Sequence, residues 1–133
     1  MIRCVTSALE NQPRPSSWRG RQIREAGDLA PELVDLLGWY PLEVLIVVPV
    51  DERSRVIECS LIGIGSAHRV TVPARTIWRR AIGLGAHRIL MVHTHPSGDP
   101  SPTAADIVVT ERHVEVGRKI GLDLIDHLIV GGS

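Results

Sequence analysis

Residues 87–107, "HRILMVHTHPSGDPSPTAADI", join an apolar run to a turn-rich loop and then to the beginning of a helical pattern. The run at 87–92 is short and apolar, as expected for a buried strand, and it continues directly into His93 and His95. The loop that follows is stiffened by prolines and permits a sharp turn at a glycine: Pro96, Gly98, Pro100 and Pro102. A strand that leads through a loop into a helix is a unit of α/β domains. This stretch therefore predicts a buried strand with His93 and His95 at its end.

Strands and helices alternate along the rest of the chain. Two apolar runs joined by the polar turn "DERS" predict a β-hairpin, so the sheet is expected to be mixed. The predicted elements are a helix over 28–40, strands over 42–50 and 55–65, a helix that begins near Pro73, a strand over 87–92, a helix over 103–119 and a strand over 122–130. In the helix at 103–119, Ile107, Val114 and Gly117 are expected to face inward, and Gly121 follows its end. The predicted fold class is α/β (α+β), with one mixed sheet flanked by helices.

The composition is that of one soluble domain. The chain has 133 residues, of which 44% are apolar, and it has no Phe, so aliphatic side chains are expected to build the core. Residues 1–22 hold two prolines and no sustained periodicity, which predicts a poorly ordered tail before a single domain at 23–133. Cys4 and Cys59 suggest no disulfide framework. No signal peptide or membrane span is recognised, so the expected location is the cytoplasm.

The formal net charge is zero, whereas proteins that bind nucleic acid mainly through phosphates usually carry a clustered basic excess. The basic cluster near the amino end is small and consists of Arg14, Arg19, Arg21 and Arg24. Nucleic acid is therefore a less favoured partner.

His93 and His95 are two residues apart on a strand, so their side chains point to the same face. Two imidazoles and a carboxylate would leave the fourth position of a tetrahedral zinc ion open, which is the arrangement of catalytic zinc sites. Asp106, in the first turn of the next helix, is the favoured carboxylate, and Asp99 is the alternative. Thr103 and Asp106 also fit a capping box, which explains them without a metal.

A water molecule activated by zinc needs a group that takes its proton. Glu58 lies in a strand among apolar and small neighbours, where a buried charge requires a partner, and it is the candidate base. The alternative is that Glu58 points to solvent at a strand end. Glu43, Asp51 and Glu52 are expected to be solvated.

Asp126 and His127 stand side by side in the last strand. Since histidines bound to zinc usually donate their second N–H to another group, this pair is a candidate second layer around the metal. The alternative is a purely structural role. His87 and His113 lie in turn or helix contexts and are expected to be exposed.

The pattern His93-x-His95-Pro96, with Thr103-x-x-Asp106 after it, resembles the JAMM (JAB/MPN-type) metalloprotease signature, with Glu58 as its upstream glutamate. The longer wording "HTHPSGDPSPTAADI", followed by "LIDHLIVG", is similar to the RadC-like JAB-domain proteins. The resemblance covers about residues 42–131.

This resemblance implies a cytidine-deaminase-like sandwich with a curved sheet between helices. It implies zinc bound by His93, His95 and Asp106, with Glu58 as general base and acid. Thr103 stands where the family has serine, whose hydroxyl would stabilise the oxyanion.

The leading hypothesis is a zinc-dependent hydrolase of peptide or isopeptide bonds, whose substrate is a peptide or protein, with lysine-linked isopeptides among the candidates. A RadC-like DNA-repair-associated accessory protein and a catalytically inactive interaction module on the same fold are the alternatives. The sequence indicates neither the oligomeric state nor the substrate.

Overall fold

The computed structural model describes residues 18–37, 43–64, 73–95, 97, 99 and 101–131. Its elements, in chain order, are a short 3₁₀ helix (Ala26–Asp28), α1 (Ala30–Leu37), β1 (Val44–Val50), β2 (Ser60–Ile64), α2 (Ala74–Gly83), β3 (Arg88–His95), α3 (Ala104–Ile120) and β4 (Asp123–Gly131). This order confirms the predicted alternation of strands and helices. Among these described segments, no helix is long and apolar enough to cross a membrane.

The four strands form one sheet in the order β2-β1-β3-β4. β1 pairs antiparallel with both β2 and β3, and β3 pairs parallel with β4. The predicted hairpin and the mixed sheet are therefore confirmed. β3 is a central strand, so its last residues, His93 and His95, lie in the middle of one end of the sheet.

Apolar side chains cover both faces of the sheet, as the alternation of side chains along β1 requires. One face packs against α1 through Leu33 and Leu37, together with the preceding residues Trp18, Ile23 and Leu29. The other face packs against α2, which contributes Ile77, Trp78 and Ala81. Each Å² of apolar surface that these side chains remove from water stabilises the fold by about 25 cal/mol. This burial holds the helices against the sheet.

α3 covers the same face as α2, but the side chains that it turns inward differ from the prediction. Ile107 and Val114 are 50% and 37% exposed, so those two predictions are wrong. Gly117 is buried as predicted, and His113, predicted to be exposed, is only 3% exposed. The buried side of α3 therefore follows positions 106, 110, 113 and 117, which share one helical stripe.

Two contacts of this stripe explain its composition. His113 Nδ1 accepts a hydrogen bond from Trp78 Nε1 at 3.0 Å, which gives a buried indole its partner. A Cβ on Gly117 would overlap the carbonyl oxygen of Leu122 and would lie 2.9 Å from the Trp78 ring. The helix can approach the sheet this closely because residue 117 has no side chain. After it, Gly121 ends α3 in the left-handed conformation (φ 77°), as its position predicted.

The end of the predicted tail belongs to the folded domain. Trp18 is 2% exposed, Gly20 N–H donates to Val56 O at 2.7 Å, and Gln22 pairs with Arg55 in an isolated bridge. Residues 18–22 therefore pack against the rest of the described chain, and the predicted domain boundary at residue 22 stays a prediction. Residues 1–17 lie outside the described part of the chain.

Candidate metal centre

His93 and His95 occupy the end of β3 that faces α3. Ile89 and Met91 lie on the same side of the strand and are buried in the core beneath α2. Because side chains alternate, the two histidines continue this row beyond the apolar core. Their side chains are each 11% exposed. The strand thus places two imidazoles at the edge of the core, accessible from one end of the sheet.

The amino end of α3 brings Asp106 to these histidines. Thr103 N–H donates to Asp106 Oδ2 at 2.8 Å, and Asp106 N–H donates to Thr103 Oγ1 at 3.2 Å, which is the predicted capping box. The same carboxylate lies 3.2 Å from His93 Nε2 through Oδ1 and 3.1 Å from His95 Nε2 through Oδ2. The capping interpretation and the metal interpretation are therefore compatible, because the cap bonds orient the carboxylate toward the imidazoles.

The carbonyl group of Asp99 determines which nitrogen of His95 carries the hydrogen. His95 Nδ1 lies 2.9 Å from Asp99 O, and since a carbonyl oxygen only accepts, Nδ1 must donate. Nε2 of neutral His95 then presents a lone pair. The carboxylate of Asp99, the alternative ligand, instead accepts from Ser101 N–H at 2.9 Å. The stiffening residues Pro96, Gly98 and Pro100 lie outside the described residues.

The three candidate ligands fit a single small cation. His93 Nε2 and His95 Nε2 are 2.9 Å apart, and each is close to one carboxylate oxygen of Asp106. Two ligand atoms bound to one tetrahedral zinc ion at about 2.0 Å each are about 3.3 Å apart, close to these separations. Two imidazole nitrogens and a carboxylate oxygen also form a donor set that suits zinc. His93, His95 and Asp106 can therefore hold a metal ion.

The local electrostatics favour the ligand forms of these groups. Burial lowers the pKa of His93 to about 4, and the neighbouring His127 acts in the same direction. Burial works to raise the pKa of Asp106, but hydrogen bonds from Thr103 and the nearby histidines bring it below its ordinary value of 3.8. Near neutral pH the imidazole of His93 is therefore neutral and the carboxylate of Asp106 is ionised, which are the states that bind metals.

Behind His93 lies His127, one of the two residues predicted for a second layer. His127 Nε2 is 2.7 Å from His93 Nδ1, and His127 Nδ1 is 2.7 Å from Thr110 Oγ1. The carboxylate of Asp126 is directed elsewhere and accepts from the backbone N–H of His127 at 2.8 Å. Thr110 was not identified from the sequence. Its position one helical turn after Asp106 is the signal that would have pointed to it.

Glu58, the predicted general base, lies at the other end of the sheet. Its neighbour Ile57 donates to Pro49 O at 2.9 Å, and Pro49 pairs with Ile89, four residues before His93. Four residues are about 13 Å along a strand, and β2 is two strand spacings, about 10 Å, from β3. Glu58 is therefore well beyond hydrogen-bonding distance of the candidate ligands. This position does not support the predicted role of Glu58 as general base. It corrects the expectation that Glu58 lies beside the candidate metal ligands.

The contacts of Glu58 are those of a paired surface carboxylate. Arg80 Nη2 lies 2.8 Å from Oε1 and 2.6 Å from Oε2, and the Ser60 hydroxyl also donates to the carboxylate. The Ser60 hydrogen bond, followed by Arg80, lowers the pKa of Glu58 below its ordinary value of 4.5. A carboxylate stabilised in this way is a weak proton acceptor.

Glu43 directly precedes β1, whose first residues lie beside the end of β3 that carries the histidines. Leu45 pairs with His93 in the antiparallel ladder, and Val44 N–H donates to Thr94 Oγ1 at 2.9 Å, one residue further out. Extended by one more residue, this register sets Glu43 opposite His95, and alternation places it on the same face as Leu45. Glu43 is half-buried, which corrects the expectation that it is solvated.

Fold and site together define an α/β domain with a candidate metal centre of two histidines and one aspartate at the end of a central strand. The family model described as the RadC-like JAB domain matches residues 23–133 of the chain. The chain belongs to this family.

Relatives with the name UPF0758 protein support this membership. One from Geobacillus sp. (strain WCH70) is 39% identical over 130 residues, which cover 96% of this chain and 58% of that protein. Another from Methanosarcina mazei is 38% identical over 111 residues, covering 84% of this chain and 48% of its own length. A third, from Clostridium perfringens, is 38% identical over 112 residues, 84% of this chain and 49% of the relative. The chain thus spans about half the length of the curated relatives it matches.

Proposed function

We propose that this chain is a zinc-dependent hydrolase that cleaves amide bonds in peptides or in isopeptides. The observation that carries the proposal is the convergence of His93 Nε2, His95 Nε2 and the Asp106 carboxylate within 3.2 Å of one another. These groups are largely buried, and three protein ligands leave room for a water molecule or substrate at a tetrahedral ion. The resemblance to JAMM metalloproteases supports the same reaction class.

Zinc bound by these three residues would supply a Lewis acid that makes a water molecule more acidic and polarises a substrate carbonyl. Glu43, rather than Glu58, is proposed as the general base. Its register position opposite His95 would bring its carboxylate to the attacking water. The carboxylate would accept one proton from this water and return it to the nitrogen of the departing amine.

Thr103 is proposed to assist the carbonyl oxygen of the substrate. Its hydroxyl oxygen accepts the cap hydrogen bond from Asp106 N–H through a lone pair. The hydroxyl hydrogen is not used in that bond, and by turning from the Asp106 carboxylate it could donate to the oxygen on which negative charge develops. The same side chain would then cap α3 and stabilise the transition state.

The substrate is proposed to be a peptide or a protein, with lysine-linked isopeptides as the first class to examine. The nucleic-acid alternative depends on the basic cluster near the amino end. In that cluster, Arg21 already pairs with the Glu32 carboxylate and donates to Asp28 O. Binding to duplex DNA is therefore expected to be no tighter than a Kd of roughly 10⁻⁴ M at about 0.15 M salt.

The proposal is tested by metal analysis of protein purified without added zinc. We expect about one zinc ion per chain in the parent and in His87→Ala, a control in which the histidine side chain is 60% exposed. His95→Ala and Asp106→Ala should lower zinc affinity by about two orders of magnitude or more, because each removes one of three ligands. Stoichiometric zinc in both variants would contradict the site.

The second arm measures hydrolysis of a panel of lysine-linked isopeptides and short peptides. Cleavage should stop when zinc is removed by a chelator and return when zinc is added. Loaded, folded protein that cleaves nothing in the panel would favour the interaction module on the same fold. Submicromolar binding to DNA at about 0.15 M salt would favour the accessory role instead.

A further inference from the structure

A chain of hydrogen bonds runs from the back of His93 to the backbone of α3. His93 Nδ1 and His127 Nε2 are 2.7 Å apart, and His127 Nδ1 and Thr110 Oγ1 are also 2.7 Å apart. Thr110 Oγ1 in turn donates to Asp106 O at 2.8 Å. The chain therefore begins at one candidate metal ligand and ends on the main chain of another.

The last acceptor determines the direction of every bond in this chain. Asp106 O is a carbonyl oxygen and can only accept, and the Thr110 hydroxyl has a single hydrogen. When that hydrogen is donated to Asp106 O, Thr110 Oγ1 offers His127 Nδ1 a lone pair. His127 Nδ1 must then carry the hydrogen.

The same count of hydrogens determines the direction of the bond between His127 and His93. A neutral imidazole has one hydrogen, so His127 Nε2 is left with a lone pair and accepts from His93 Nδ1. His93 then has its own lone pair on Nε2. This is the nitrogen that lies 3.2 Å from Asp106 Oδ1 and 2.9 Å from His95 Nε2.

We propose that Thr110 and His127 are positioning residues, which hold His93 with its hydrogen on Nδ1 and its Nε2 lone pair directed at the metal position. This inference rests on the proposed metal site. It gives His93 the same kind of support that Asp99 O gives His95. Both imidazoles are then prepared for metal binding by a backbone carbonyl, His95 directly and His93 through two side chains.

The opposite direction of the chain has a different consequence. If the Thr110 hydroxyl turned toward His127, the hydrogens would move to Nε2 of His127 and, in turn, to Nε2 of His93. His93 Nε2 would then donate to Asp106 and would have no lone pair for a metal. The hydrogen bond from Thr110 to Asp106 O therefore favours the state in which His93 can bind a metal over the state in which it cannot.

Zinc affinity of Thr110 variants tests this role, measured by competition with a chromophoric chelator. Thr110→Val keeps the shape and removes the hydroxyl, whereas Thr110→Ser keeps the hydroxyl. We expect zinc binding to weaken about 10- to 100-fold in Thr110→Val and to stay within about threefold of the parent in Thr110→Ser. Thr76→Val, the same change at an exposed threonine on α2, is the matched control and should bind as the parent does.

A spectroscopic measurement on the unaltered, zinc-loaded protein gives a second and independent test. The ¹⁵N spectrum of the histidine side chains should show the hydrogen of His127 on Nδ1. A hydrogen on His127 Nε2 would overturn the proposal, even if the Thr110 variants failed to fold.

The two proposals fail in distinguishable ways. A parent protein that takes up no zinc removes both the metal site and the inference built on it. A parent that binds zinc through His93, His95 and Asp106, together with a Thr110→Val variant that binds equally well, leaves the site intact and removes the positioning role.

Discussion

The candidate metal centre and the Glu58 site lie on the same sheet, yet their carboxylates have opposite surroundings. At the candidate metal centre, Asp106 faces two imidazole nitrogens and no cationic side chain within the described contacts. At the other end of the sheet, Glu58 forms an ion pair with Arg80 and accepts a hydrogen bond from the Ser60 hydroxyl. Each carboxylate is satisfied, but only Asp106 is arranged so that a metal ion would complete its partners. The position of a carboxylate in the sequence therefore says less about its role than the charge of its neighbours does.

The largest expected effect comes from replacing each of the two candidate bases, Glu43 and Glu58, by glutamine. Glu43→Gln keeps the size of the side chain but cannot accept a proton at neutral pH, so amide hydrolysis should fall by about 10²- to 10⁴-fold. Glu58→Gln alters a carboxylate that Arg80 already holds and should change the rate by less than about threefold. Both variants should retain zinc. A loss of activity in Glu58→Gln and not in Glu43→Gln would restore the assignment made from the sequence.

Sequence patterns predicted the elements and the three ligand candidates because both depend on short-range chemistry. The apolar run before His93 and the capping box of Thr103 are local features, and the structure shows both of them. The pairing of β1 with β3 is different, because it joins residues 38 to 48 positions apart. Without that register, Glu43 was one glutamate at a strand end, and nothing connected it to His95.

The inward side of α3 was missed for a related reason. Apolar periodicity predicts the buried side of a helix only when the buried side chains are apolar. Here the stripe contains Asp106, Thr110, His113 and Gly117, and its polar members form hydrogen bonds to one another, to β4 and to Trp78. Exposed Ile107 and Val114 carried the misleading pattern. Polar side chains at helical spacing were the available signal.

The next prediction tests whether α3 must approach the sheet closely at Gly117. Gly117→Ala should lower the free energy of unfolding by about 1–3 kcal/mol, because the added Cβ meets the carbonyl of Leu122 and the ring of Trp78. The displaced helix should also weaken zinc binding through Asp106. Gly83→Ala, at the end of α2, is the control, since a Cβ there meets nothing within 4 Å. Equal stability of both variants in chemical denaturation would show that the approach at Gly117 is easily relaxed.

The smallest expected effect concerns the pH dependence of the Glu58–Arg80 pair. The pKa of Glu58 is lower in the folded protein than its ordinary value of 4.5, first through the Ser60 hydrogen bond and then through Arg80. A lowered pKa means that the unfolded chain binds the proton more readily. The pair therefore stabilises the fold above about pH 4.5, and this contribution is lost as the pH falls through the folded-state value.

Because Arg80 is 49% exposed, water and salt screen the pair, and its contribution should stay below about 1 kcal/mol. The stability difference between the parent and Glu58→Gln, measured by urea denaturation, should be present at pH 7 and should diminish toward pH 3. Glu115→Gln, which breaks the exposed pair with Lys119, is the control and should show a difference near zero throughout, since both of those side chains are about 70% exposed. A difference for Glu58→Gln that grows as the pH falls would mean that its carboxylate destabilises the fold at neutral pH. The contrast between a neutralised carboxylate at Glu58 and a metal-directed one at Asp106 would then be wrong.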